Sequence, residues 1–239
     1  MGTLPHLSSP ATLGDQAYTA IRSAIISGAL QRGERVTERG LAESMAISPT
    51  PVREALRRLE QDRLVERLGP REVRIAKFDE NELREVTLIE DALRALSARL
   101  AAEKATEEQL GEMRRLLDHA DTVREKGAGL EPGSADEREL AVAILDDMRR
   151  FHGLVDRASA NPTLIQMLHM VDAFGADERR RSVLAEVGGD RRGAAETRYE
   201  QHRAIFDAIV ARDGDLAEDL MRSHSRTSNR SRVTARFSG

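Results

Sequence analysis

Cysteine is absent from the 239 residues. Its absence excludes disulfides, thiol catalysis and thiolate metal sites, and leaves histidine, aspartate and glutamate as the side chains able to hold a metal ion. Long apolar runs are also missing, and no stretch approaches the ~20 apolar residues that a membrane span needs. No basic residue precedes Arg22 and no apolar run opens the chain, which argues against a secretory or transit peptide. These absences predict a cytoplasmic protein with no membrane partner. Aromatic residues make up 3% of the chain against 33% charged and 40% hydrophobic, the balance of a helix-rich globular protein. The length suits two modest domains, each burying its own core.

The net charge of -4 is unevenly spread. Residues 15–77 carry 12 Lys and Arg against 9 Asp and Glu, whereas residues 78–239 carry 25 against 32. A mildly basic front on an acidic body fits a local nucleic-acid contact. Residues 1–14, rich in Pro, Ser, Thr and Gly, read as a flexible tail.

From Asp15 the pattern turns helical. Tyr18, Ile21 and Ile25 recur at steps of three and four, Gly28 follows as a C-cap, and Thr37 is placed to cap a second short helix with Leu41 and Met45 inward. A third helix begins at "SPTPVREALRRLE", where Ser48 stands at the N-cap and Pro49 and Pro51 fall in the first turn, whose donors have no intrahelical partner to lose. Val52, Leu56 and Leu59 form its apolar stripe, and Thr50, Arg53 and Arg57 another face. "LVERLGPREVRIA" then alternates around Gly69-Pro70 as a small β-hairpin, with Arg67, Arg71 and Arg74 near its tip. Three helices and a hairpin make a winged helix-turn-helix. Thr50 and Arg53 would meet base edges in the major groove, while the helix dipole and the wing arginines hold phosphates.

The stretch "AIRSAIISGALQRGERVTERGLAESMAISPTPVREALRRLEQDRLV" closely resembles the DNA-binding half of the GntR family of bacterial transcription regulators. That resemblance implies binding to double-stranded operator DNA as a homodimer, with contacts from Arg39, Ser48, Thr50, Arg53, Gly69 and Arg71; Arg57, on the same helix face as Thr50 and Arg53, is a further candidate contact by its spacing. The family usually has arginine directly after the cap serine, where this chain has Pro49.

Residues 78–239 read as an all-α, six-helix antiparallel bundle, with apolar rows such as Leu83, Val86, Ile89, Leu93, Leu96 and Leu100 facing inward. The expected helices end near Ala158, Leu184, Arg212 and Ser228. "RRFHGLVDRASANPTL" and "YEQHRAIFDAIVARDGDLAEDLMRSH" resemble the FCD-type domain of the family's FadR branch, which implies effector binding and dimerisation.

His152, His202 and His224 continue apolar rows into the bundle, and inward histidines need partners. Each taken singly is a core histidine; three converging would supply neutral imidazoles to a divalent metal, with positions open for a ligand's carboxylate. The FCD resemblance implies such a site, with zinc or nickel as candidates, held by one aspartate and three histidines. The histidines fall on His152, His202 and His224, but the aspartate position holds Met148. Asp147 is five residues before His152, about 140 degrees around an ideal helix, and does not substitute. The resemblance further implies a small-molecule effector, a carboxylic acid, for which Arg94 is the candidate cation; Glu90 and Arg94 stand where the family often has the same pair reversed. The "RRR" of Arg179–Arg181 reads as solvated surface.

The combined expectation is a transcription regulator whose operator affinity responds to a metabolite. Two alternatives remain open: a metal-dependent enzyme using the three histidines, for which no acid-base motif such as HExxH is visible, and an effector-independent DNA-binding dimer.

Overall fold

The computed structural model describes residues 11–77, 79–131, 133–172 and 192–237. The chain divides into two compact units, Met1–Phe78 and Asp79–Gly239. Most of the expected tail and the triplet Arg179–Arg181 lie outside the described residues.

The first unit contains α1 (Leu13–Ser27), β1 (Arg35–Thr37), α2 (Glu38–Ser44), α3 (Pro49–Gln61), β2 (Val65–Arg67) and β3 (Glu72–Ile75). Helix α1 starts two residues earlier than the sequence pattern suggests, because Thr12 and Asp15 form a reciprocal capping box. It ends at Gly28, whose φ of 77° lies in the left-handed region that glycine tolerates without strain. Ala17, Ile21 and Ile25 of α1 and Val52, Ala55, Leu56 and Leu59 of α3 are all buried, and the two helices pack together. The wing is more than the expected hairpin. β1 adds a third strand, giving the order β1-β3-β2, with Val36 opposite Val73 and Val65 opposite Ile75. Three residues are too few to show alternation in the sequence; the pairing is decided by β3.

The second unit contains α4 (Glu80–Lys104), α5 (Glu107–Gly127), α6 (Ala135–Ala158), α7 (Pro162–Asp172), α8 (Arg192–Val210) and α9 (Gly214–Phe237). Thr106 caps α5 in a box with Gln109, as its spacing predicts. The helix expected to reach Leu184 is described only to Asp172, and α9 runs nine residues past the expected end at Ser228. The core is built from Met113, Leu117, Phe151, Val155, Ile205, Ile209 and Met221. Alanines, including Ala98, Ala101, Ala102 and Ala217, are also fully buried, and α4 and α9 make extensive contact. Small side chains at such positions let helices approach closely.

Helix α4 departs from its apolar pattern. Of the six residues expected to face inward only Leu83 is fully buried; Ile89 and Leu96 are 54% and 40% exposed. The buried face is instead Thr87, Glu90, Asp91, Arg94, Ala95, Ser97 and Ala98. This inversion is stable because the charges are met in place. Arg94 donates to Asp156 Oδ2 at 2.6 Å and to Asp172, with Glu90 3.9 Å away. Ser97 donates to the other Asp156 oxygen at 2.9 Å, and Asn229 donates to Asp91 at 2.5 Å. Burial opposes the Arg94 charge, but the surrounding Asp172, Asp156 and Glu90 more than compensate and raise its pKa. Burial pushes the Asp156 carboxyl up, with Arg94 acting in the opposite sense.

Replacing Arg94 with alanine leaves these carboxylates buried without their cation, and is expected to destabilise the bundle by about 3–5 kcal/mol. Urea unfolding followed by far-UV circular dichroism checks it; a loss below about 1 kcal/mol would be the value of a surface pair and would show that the network is not structural.

Candidate functional site

The first candidate surface is the exposed end of α3 with the neighbouring wing. Pro49 and Pro51 set the start of the helix, and Ser48, Thr50, Arg53 and Arg57 are all exposed there. Ser48 occupies the N-cap but makes no side-chain capping bond. One of the two amides a capping hydroxyl uses belongs to Pro51, which has no N–H. The hydroxyl therefore remains at the surface.

The arginines divide into held and unheld groups. Arg39 pairs with Glu43 at 2.8 Å in a largely exposed pair that water screens. Arg58 pairs with Asp15 at 2.6 Å and stacks over Tyr18. Two of the three expected wing contacts are engaged within the unit: Arg67 lies against Glu60 and Glu38, and Arg74 is paired with Glu66. Arg71 is exposed beside the wing turn. A Cβ built on Gly69 meets nothing within 4 Å, so packing within the wing does not demand glycine there. Arg53 is fixed on one side by Glu38, a buried carboxylate that the sequence reading passed over.

The second candidate site lies inside the bundle. His152 from α6, His202 from α8 and His224 from α9 converge, with one ligand nitrogen of each within 4.8 Å of the others. His202 Nε2 stands 3.1 Å from His152 Nε2, and the His202 and His224 rings are 4.3 Å apart. Leu216, expected on the inward row leading to His224, is 48% exposed, so that row turns inward only nearer the histidine.

Hydrogen bonds orient the rings. His202 Nδ1–H donates to the Arg198 carbonyl at 2.7 Å, and His224 Nδ1–H donates to Gln201 Oε1 at 2.9 Å. These bonds assign the tautomers and leave the Nε2 lone pairs of both residues unprotonated. Burial lowers the pKa of His202 to about 4, with a further contribution from the Arg198 charge. Burial also holds His224 well below the ordinary value, assisted by His202, Arg198 and Arg94. Neutral imidazoles with an anchored second nitrogen are the form that binds a divalent cation.

Among the described residues no carboxylate joins them. Met148 is buried in the apolar core, and Asp147 bonds His119 on α5, Nδ1 to Oδ2 at 2.6 Å. Among the described residues the metal-capable group is the three histidines alone. Arg94, expected as a cation for an effector, is instead surrounded by Asp156, Asp172 and Glu90.

The cation adjoining the histidines that sequence reasoning missed is Arg198. It is partly buried, its pKa is lowered by desolvation, and its charge acts on both His202 and His224. Its position four residues before His202 puts both on one helix face, which was the available signal.

The histidines also set a pH dependence for metal-free protein. Below the ordinary imidazole pKa of about 6.5 the unfolded chain takes up protons that the folded site resists, so stability falls as pH drops from there towards 4. Between pH 7.5 and 5 the loss from His202 is expected to be on the order of 2 kcal/mol. Urea midpoints at the two pH values check it, and the decrement should shrink in His202→Gln.

Comparison with known proteins places the chain in a family. Residues 13–75 match "Bacterial regulatory proteins, gntR family", and residues 85–227 match "FCD domain". The chain is 30% identical over 216 residues to a probable D-xylose utilization operon transcriptional repressor of Paenarthrobacter nicotinovorans, covering 89% of this chain and 85% of the repressor. It is 28% identical to the HTH-type transcriptional repressor GlaR of Escherichia coli, covering 87% and 90% of the two chains. The solved structure of E. coli McbR/YncC shares the fold, with a TM-score of 0.76 at 22% identity over 95% of this chain and 99% of that one. With a helix-turn-helix and wing in the first unit and an FCD domain over most of the second, the chain belongs to the GntR family of bacterial transcription regulators, in its FadR/FCD branch.

Proposed function

We propose that this regulator acts in the cytoplasm as a homodimer whose operator affinity is set by a small carboxylate bound at the three-histidine site. The observation that carries the effector half of this reading is the convergence of His152, His202 and His224, two of them with Nδ1–H tethered so that Nε2 carries the lone pair. Three neutral nitrogens without a carboxylate suit a divalent ion such as zinc or nickel and leave coordination positions for an outside ligand. His152, His202 and His224 would hold the ion, which would supply positive charge to a bound carboxylate. Arg198, whose charge acts on His202 and His224, adds a cation near the site.

The same geometry suggests how binding reaches the DNA. The cluster draws together α6, α8 and α9; α9 packs along α4, and Asn229 of α9 bonds Asp91 of α4. Helix α4 begins directly after the DNA-binding unit. A ligand that favours one arrangement of these helices shifts operator affinity by its difference in affinity for the two states. A dimer matches the two-fold symmetry of paired operator half-sites.

Native mass spectrometry of protein purified without chelator or polyhistidine tag tests the reading. The expected species is a dimer with about one divalent ion per chain; a metal-free dimer would remove the metal. His202→Ala should lose the ion, and Arg198→Ala should keep it while losing the response of operator binding to a panel of small mono- and dicarboxylates. An Arg198→Ala protein that responds like the parent would exclude Arg198 from the effector site. On the DNA-binding side, Arg53→Ala is expected to weaken operator binding by about 1–3 kcal/mol, measured by fluorescence anisotropy.

A further inference from the structure

Glu38 is an acidic side chain inside a unit whose task is to bind a polyanion. Its carboxylate is only 3% exposed, yet it lies between the recognition helix and the wing. Arg53 Nε donates to one oxygen, Oε2, at 3.0 Å, and Nη2 lies 2.9 Å from the same oxygen as an ion pair. The other oxygen, Oε1, has no hydrogen-bond donor and meets only Arg67 Nη1, at 3.6 Å. The backbone completes the arrangement, since Glu38 N–H donates to the Arg71 carbonyl at 3.2 Å.

We propose that Glu38 is a positioning residue that grips Arg53 by one edge of its guanidinium and presents the opposite edge to a guanine in each operator half-site. The inference rests on the operator-binding reading. A guanidinium has two edges able to donate paired hydrogen bonds: Nε with Nη2 along its side, and Nη1 with Nη2 at its end. Glu38 occupies the side edge. The end edge is left for an outside acceptor pair, and the Arg53 side chain is 45% exposed. Among base edges in the major groove, guanine offers two adjacent acceptors, N7 and O6, which a planar fork matches.

Position and burial support this role over a phosphate contact. Arg53 is the first cationic side chain of α3, after the donorless Pro49 and Pro51. The N-terminal residues of a recognition helix are the ones that reach base edges. A buried carboxylate also offsets part of the arginine's charge, which weakens a contact based on charge alone but leaves donor geometry intact. Holding a long side chain in one rotamer before binding removes part of the ordering cost of recognition.

The operator is unidentified, so the test begins with the full-length protein and a pool of random duplexes spanning roughly two helical turns. Wild-type protein is expected to enrich a two-fold sequence with a guanine in each half-site. Placing 7-deazaguanine there, which removes N7 alone, should weaken binding by roughly tenfold. R53K keeps the charge but not the fork. It should lose about the same factor on the guanine duplex and distinguish guanine from 7-deazaguanine less sharply than wild type. E38Q should reduce the same discrimination while leaving affinity for a poly(dA-dT) duplex unchanged or raised, and should have no further effect on discrimination in the R53K background.

R53K that distinguishes guanine from 7-deazaguanine as sharply as wild type would overturn the proposal, as would E38Q with wild-type discrimination. E38Q that weakens guanine and poly(dA-dT) duplexes by one common factor would show that Glu38 merely holds the fold, and would equally overturn it. The R53K arm stands even if E38Q does not fold. Failure of wild-type protein to enrich any sequence would remove the operator reading itself, and this inference with it.

Discussion

An ionised side chain taken out of water is tolerated only where an opposite charge or a set of donors meets it. Each unit of this regulator is organised around such a meeting. In the DNA-binding unit it is Glu38, buried where the first turn of α2, the recognition helix and the wing come together, with Arg53 and Arg67 on its two oxygens. In the bundle it is Arg94, which ties α4 to α6 through Asp156 and to α7 through Asp172. A buried pair of this kind resists displacement, because moving one partner strands the other, and it therefore sets helix positions more sharply than apolar contact alone.

The histidine site follows from the same physics applied without a counter-charge. No carboxylate joins His152, His202 and His224 among the described residues, so desolvation keeps His202 and His224 neutral and their lone pairs available. The anchoring partners, the Arg198 carbonyl and the Gln201 side chain, come from α8 itself. One helix thus supplies one histidine of the cluster, the acceptors that orient two of its rings, and a cation whose charge acts on them. Such a cluster presents lone pairs of the kind a divalent cation binds, and it lies among the helices that pack on α4.

The parts that were readable from the chain share one property, that their signal is local. Thr37, Thr106 and Gly28 mark helix ends through bonds to residues a few positions away, and the spacing of Val52, Leu56 and Leu59 reports one face of one helix. Ser48 shows the limit even there, because Pro51 in the first turn has no N–H where its hydroxyl would find a donor. The inward face of α4 was unreadable for the opposite reason. Ile89 and Leu96 look like part of a core stripe, but what the helix buries is Glu90, Asp91, Arg94 and small residues, whose partners lie on α6, α7 and α9.

By itself the sequence determined the family, the order of the helices, the recognition helix and the three histidines as a candidate set, since each rests on periodicity, capping or a motif within a short segment. Tertiary structure alone decided that Asp147 turns to His119, that Arg94 is a structural cation, that Arg198 stands beside the histidines and that Glu38 holds Arg53. Those outcomes depend on which charged groups meet after burial, and the energy of a charge inside a protein is set by neighbours far away in the chain.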